Sequence, residues 1–150
     1  MIDHTAMLAV IAVGVAGAAP PASPLTPTHS RSGAIPLETM TIDEVVRAGA
    51  AGTGCTWLGG SGSTRMVAIK EDRGAVKRGG IIIGLRPAAG SKEMFPYTYR
   101  RWSGGGMAIA IEDSGKQVGR GPEHIETVAT LRLTEDGRSR SWRGRLNCGS

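Results

Sequence analysis

From Cys55 onward, short runs of alternating residues are broken at near-regular intervals by Gly, Asp and Ser, and no other feature constrains the fold as tightly. Period-two alternation marks a half-buried strand and glycine-bearing breaks mark tight turns, so the pattern predicts an all-β domain. Val67 and Ile69 alternate with Met66, Ala68 and Lys70 until Asp72-Arg73-Gly74 ends the run. Ile81-Ile82-Ile83 stand between Gly79-Gly80 and Gly84, ahead of Pro87 and a loop through Gly90-Ser91. Met107, Ile109 and Ile111 share a face opposite Ala108 and Ala110, and Asp113-Ser114-Gly115 reads as the next turn. Ile125, Ala129, Leu131 and Leu133 fit a long strand that Glu135-Asp136-Gly137 turns back into a last one. In that last strand Trp142, Gly144, Leu146 and Cys148 face one way, Arg143, Arg145 and Asn147 the other. The expected architecture is a small barrel or sandwich of about seven short antiparallel strands.

A chain of 150 residues has room for one core. With a single Phe and 23 glycines, that core has to draw on Val, Ile, Leu, Met and the three Trp. Three segments are expected: 1–19 as a secretory signal peptide, 20–40 as a Pro-rich linker and 41–150 as the all-β domain. The run Ala6 to Ala19 is apolar and small, ending in Ala16-Gly17-Ala18-Ala19 before Pro20-Pro21, which fits an h-region and its cleavage site. It is shorter than the roughly 20 apolar residues of a membrane span. Met1 to Thr5 hold no Lys or Arg, so a buried helix remains an alternative for this segment. Pro20, Pro21, Pro24, Pro27 and Pro36 suit neither helix nor central strand. After them, Thr41 and Glu44 have capping-box spacing for a short helix stopping at Gly49, with a turn into the first strand as the alternative.

Two cysteines in an exported domain are most simply paired, because the periplasm and the outside are oxidising. A Cys55–Cys148 bond would tie the first strand to the last, and a loop approaching 100 residues assigns it up to about 4.7 kcal/mol on the chain-entropy model. No metal site is expected, since these cysteines and His124 are too few ligands.

Nucleotide and catalytic motifs are thin. Gly59-Gly60-Ser61-Gly62-Ser63-Thr64 lacks the Gly-Lys-Ser/Thr ending of a P-loop and reads as a hairpin loop, and Ser103-Gly104-Gly105-Gly106 precedes a strand, not a helix N-terminus. No cofactor is expected. A small enzyme using His124 with the turn acids Asp113, Glu123, Glu126, Glu135 and Asp136 is the alternative to a binding role, but nothing near His124 resembles a nucleophile elbow.

Charge is the functional feature that stands out. The chain carries +5, and Asp3 is the only Asp, Glu, Lys or Arg before residue 20, so the domain without that segment is near +6 and attracts polyanions. Arg132, Arg138, Arg140, Arg143 and Arg145 fall on the last two expected strands, and Arg100 and Arg101 stand beside Tyr97, Tyr99 and Trp102. Guanidinium groups suit phosphate and carboxylate, so these seven are the candidate anion-binding residues, although charge on an edge also deters strand addition.

Residues 51 to 58 (Ala-Gly-Thr-Gly-Cys-Thr-Trp-Leu) and Gly144-Arg-Leu-Asn-Cys-Gly-Ser resemble small exported alphaproteobacterial β-domain proteins. The two cysteines with Tyr99-Arg-Arg-Trp-Ser-Gly104 between them are distantly similar to the periplasmic inhibitors of c-type lysozyme, a small β-barrel family. That family inhibits through a Ser in a Ser-Gly-x-x-Tyr stretch and a Lys following a Trp; here Ser103 stands at the Lys position and no such stretch precedes Tyr99. The expectation is an exported, non-catalytic binding or envelope-associated module. Its expected partner is an anionic envelope polymer or another envelope protein, with no specific nucleic acid and no transmembrane span.

Overall fold

The computed structural model describes residues 36–59, 64–94 and 98–149. The expected signal segment 1–19, most of the Pro-rich stretch and residues 60–63 of the first glycine cluster lie outside them. Helix α1 (Ile42–Arg47) precedes β1 (Gly54–Gly59), β2 (Thr64–Lys70), β3 (Arg73–Arg78), β4 (Ile81–Pro87), β5 (Glu93–Met94), β6 (Thr98–Tyr99), β7 (Arg101–Gly104), β8 (Met107–Arg120), β9 (His124–Glu135) and β10 (Arg138–Gly149). Eight strands close an antiparallel barrel in the order β1-β10-β9-β8-β7-β4-β3-β2, and β5 and β6 form a separate two-stranded ribbon.

Turn chemistry builds one end of the barrel. Gly79-Gly80 between β3 and β4, Gly105-Gly106 between β7 and β8, and Asp136-Gly137 between β9 and β10 all have positive φ. Paired positive φ is the requirement of the type I′ hairpin turn, whose twist matches that of the strands it joins. These three turns lie at the same end, called here the turn end. The opposite end carries the β1 start, the β10 finish and the β8–β9 connection, and is called the disulfide end.

The barrel is filled by side chains. Trp57, Trp102, Val67, Val76, Ile69, Leu85, Ile109, Ile111, Leu131 and Leu146 are fully buried and belong to one cluster with Trp142. An eight-stranded barrel is just wide enough for such a filling. Large groups need relief from the backbone: a Cβ on Gly144 would overlap the Leu58 carbonyl and the Trp57 indole, so that position is kept bare.

The helix forms as the capping-box spacing predicts. The Glu44 amide donates to Thr41 Oγ1 (3.3 Å) while the Thr41 amide donates to Glu44 Oε2 (2.8 Å). Gly49 follows the helix with φ +66°, the left-handed conformation that ends helices. The helix packs on the outside of the barrel, where Met40, Val45 and Ala50 bury Ala75 with Ile82 against them. Leu37 joins the barrel core and the Glu38 amide donates to the Lys77 carbonyl (2.7 Å). Among the described residues, Leu37 and Met40 are already packed, inside the stretch expected to be linker up to residue 40, because both are apolar enough to be drawn in.

One expectation about strands is corrected. Asp113-Ser114-Gly115 is not a turn between strands but a bulge inside β8, whose register against β9 shifts between Asp113 and Gln117. Asx chemistry and a positive-φ glycine serve both purposes: Asp113 Oδ1 accepts from the Gly115 amide (2.9 Å), and Ser114 Oγ accepts from Lys116 and donates to the Val128 carbonyl (2.7 Å). The small antiparallel all-β barrel is as expected, and the long strand expected through Ile125 to Leu133 is β9, flanked by β8 and β10 at 14 and 12 residues.

Candidate functional site

The disulfide fixes where the barrel closes. Cys55 of β1 and Cys148 of β10 are directly opposed in register and bonded, with Cα atoms 4.0 Å apart across 93 positions of sequence. Pairing β1 with β10 joins the first barrel strand to the last, so the bond staples the seam that must bring together the most distant segments.

The seven candidate arginines divide into three places. On the outer face of β9 and β10, Arg132 stands opposite Ser141 and Arg143 opposite Thr130, with Thr134 opposite Ser139 and their hydroxyls 2.7 Å apart. Arg132 reaches Glu112 (3.5 Å) and Arg145 reaches Glu126 (2.7 Å), both diagonally across strands. The Arg132–Glu112 pair is exposed, worth about 0–1 kcal/mol, and leaves most of its charge facing water, whereas the Arg145–Glu126 pair is half-buried, its glutamate side chain only 15% exposed. Arg143 is exposed and forms no ion pair among the described residues. The face carries guanidinium and hydroxyl groups and no aromatic ring, because Trp142 points into the core.

Arg138 and Arg140 have the inward parity of β10 but lie beyond the filled core, at the turn end. They line a cavity of about 170 Å³ with Pro36, Arg78, Leu133, Glu135 and Asp136. Glu135 there is bound to Arg78 at 2.6 Å, and its carboxylate raises the Arg78 guanidinium above its ordinary value. Arg138 and Arg140 are exposed and unpaired among the described residues. The third place is the disulfide end, where Arg101 donates to the Gly90 carbonyl (3.1 Å) and Arg100 lines a larger opening. The seven guanidiniums therefore do not form one continuous patch; five lie on the β9–β10 hairpin and two beside the ribbon.

His124 is exposed at the start of β9, its ring against Gly121. It borders a cavity of about 210 Å³ with Ile42, Val45, Cys55, Thr56 and Asn147, and no carboxylate among the described residues lines that cavity. The turn acids are spread elsewhere: Glu126 and Glu135 are ion-paired, and Asp113 holds the β8 bulge.

One opening at the disulfide end was not anticipated from the sequence. A cavity of about 460 Å³ at the disulfide end is lined by Glu93, Met94, Arg100, Asp113, Ser114, Gly115, Ile125, Thr127 and Cys148. The ribbon supplies one wall and the β8 bulge the other. The signal available was the Asp113-Ser114-Gly115 cluster itself, whose meaning depends on β8 continuing past it. No group of His, Cys, Asp and Glu among the described residues could hold a metal ion, and no helix there is long and apolar enough to cross a membrane. No family model matches the chain, and no curated protein or solved structure shows significant similarity to it.

Proposed function

We propose that this domain is an exported, non-catalytic binding module that holds an acidic envelope polysaccharide on the outer face and turn end of the β9–β10 hairpin. The observation that carries the reading is the placement of Arg138, Arg140 and Arg143, three exposed guanidiniums on one strand without ion-pair partners among the described residues. Beside them Thr130, Thr134, Ser139 and Ser141 offer hydroxyls, so the face matches a polymer of carboxylates and hydroxyls. Single-stranded nucleic acid is bound by stacking bases on aromatic rings, which this face lacks. The side-chain filling of the barrel interior supports a surface mode of recognition.

Export rests on the apolar segment before Pro20 and is supported by the disulfide, a bond that persists in oxidising compartments. Intact-mass measurement on protein recovered from the periplasm is expected to place the mature N-terminus between about Ala19 and Ser23; a chain retaining Met1 contradicts export. Binding is tested by titrating the domain with polygalacturonate at low and at physiological salt. Changing Arg138, Arg140 and Arg143 together to Gln is expected to remove most of the affinity while leaving the fold intact. Undiminished binding by that variant rejects the reading.

A further inference from the structure

We propose that the disulfide-end mouth of the barrel is a second binding site, for a small zwitterion carrying both an ammonium and a carboxylate beside an apolar group, such as an amino acid or dipeptide. The inference is independent of the arginine face. Its basis is a cavity whose charges do not neutralise one another: Glu93, Arg100 and Asp113 line the same opening, and none forms an ion pair among the described residues, while Asp113 keeps one carboxylate oxygen beyond the Oδ1 that accepts from the Gly115 amide.

Each wall is fixed by the fold. Arg100 is held between the ribbon and the barrel, its amide donating to the Lys92 carbonyl (3.0 Å) and its carbonyl accepting from the Ile111 amide (2.8 Å). Glu93 and Met94 pair with Tyr99 and Thr98, and Tyr99 meets Trp102 edge-on at 5.9 Å. The opposite wall is the β8 bulge, pinned by the Asp113–Gly115 and Ser114–Val128 hydrogen bonds. Bulges conserve a deliberate local geometry and recur beside binding sites. Cys148 adds a covalent brace, and Met94 and Ile125 add apolar surface; Ile125 is 39% exposed although it sits on a core-facing parity.

The lining selects the ligand class. Two carboxylates and one guanidinium leave the mouth net negative in a net positive protein, so a simple anion is disfavoured there. An ammonium is suited to Glu93 and Asp113, and a carboxylate to the bidentate fork of Arg100. Met94 and Ile125 then cover an apolar side chain. A volume of about 460 Å³ lies toward the small end of ligand cavities, which run from about 300 to 1,000 Å³, and fits a molecule of this size better than a polymer.

The test is an amide chemical-shift titration of the intact domain with the dipeptide leucylleucine, its N-acetyl derivative and its C-terminal amide. The dipeptide is expected to shift the amides of Met94, Asp113 to Gly115 and Ile125. Blocking either terminus, or changing Arg100→Gln or Glu93→Gln, is expected to weaken binding roughly tenfold or more, as losing a charged hydrogen bond does. Both substituted residues are exposed, and unshifted amides in the turn-end halves of β9 and β10, Leu131 to Leu133 and Arg140 to Trp142, report that the fold is kept. Absence of shifts at the mouth, or equal binding by blocked peptides or by the variants, overturns the proposal.

Discussion

Glu44 shows how much one side chain of this domain is asked to do. Its Oε2 closes the capping box while its Oε1 takes the Lys77 ammonium at 2.7 Å, joining α1 to the barrel wall. The hydrogen bond from Lys77, then that from the Thr41 amide, lowers its pKa from 4.5 to about 2. A carboxyl with a depressed folded pKa contributes stability that is present above its ordinary range and is lost as pH falls through the folded value. Helix docking is therefore expected to weaken between about pH 4.5 and 2. Following the Glu44 carboxyl carbon by NMR should give a midpoint near 2, moving up toward the ordinary value in Lys77→Met. An ordinary midpoint in the wild type contradicts the bridge. Gly144 is the steric counterpart. Gly144→Ala forces a methyl into the Leu58 carbonyl and the Trp57 indole, and should cost about 1–3 kcal/mol or more, read as a lower urea midpoint. An unchanged midpoint would mean that Trp57 is not packed on that backbone.

Among the elements, the hairpins and the disulfide-stapled seam between the first and last strands were legible, and the bulge and the mouth were not. Gly-Gly and Asp-Gly between alternating runs specify type I′ turns locally, and Gly79-Gly80 and Asp136-Gly137 adopt the positive φ values such turns require. Parity likewise placed Arg143 and Arg145 outside and Trp142 and Leu146 inside. Asp113-Ser114-Gly115 misled because its hydrogen bonds are those of a turn, and only pairing with β9 beyond it shows that β8 continues to Arg120. The Glu112–Arg132 and Glu126–Arg145 pairs depend on diagonal register, and the placing of Arg100 and Asp113 on one cavity depends on where the separate β5–β6 ribbon lies. Neither is visible in a one-dimensional pattern. The β1–β10 seam carries its own prediction. Replacing Cys55 and Cys148 together by Ala should cost about 2–4 kcal/mol, seen as a lower urea midpoint. Amides of β1 and its partners in β10 should gain the most hydrogen exchange, since local opening begins where stability is least. Faster exchange concentrated instead in β3 and β4 would show that the bond does not guard the closure.

At the scale of the whole molecule, the barrel separates its labours by place. The interior is spent on packing three tryptophans and a set of aliphatic side chains, the helix covers part of the outer wall, and charge is displayed where no packing demand competes with it. A surface that binds through exposed guanidiniums loses strength as salt screens it, over about 8 Å at physiological ionic strength. The most direct measurement is a residue-by-residue amide map of polygalacturonate binding to the folded domain at low and at physiological salt. A basic binding face confines the shifts to Thr130, Arg132, Ser139, Ser141 and Arg143 and to the turn-end residues Arg138 and Arg140, fading as salt rises. Shifts centred elsewhere on the barrel, shifts insensitive to salt, or none at all would contradict it.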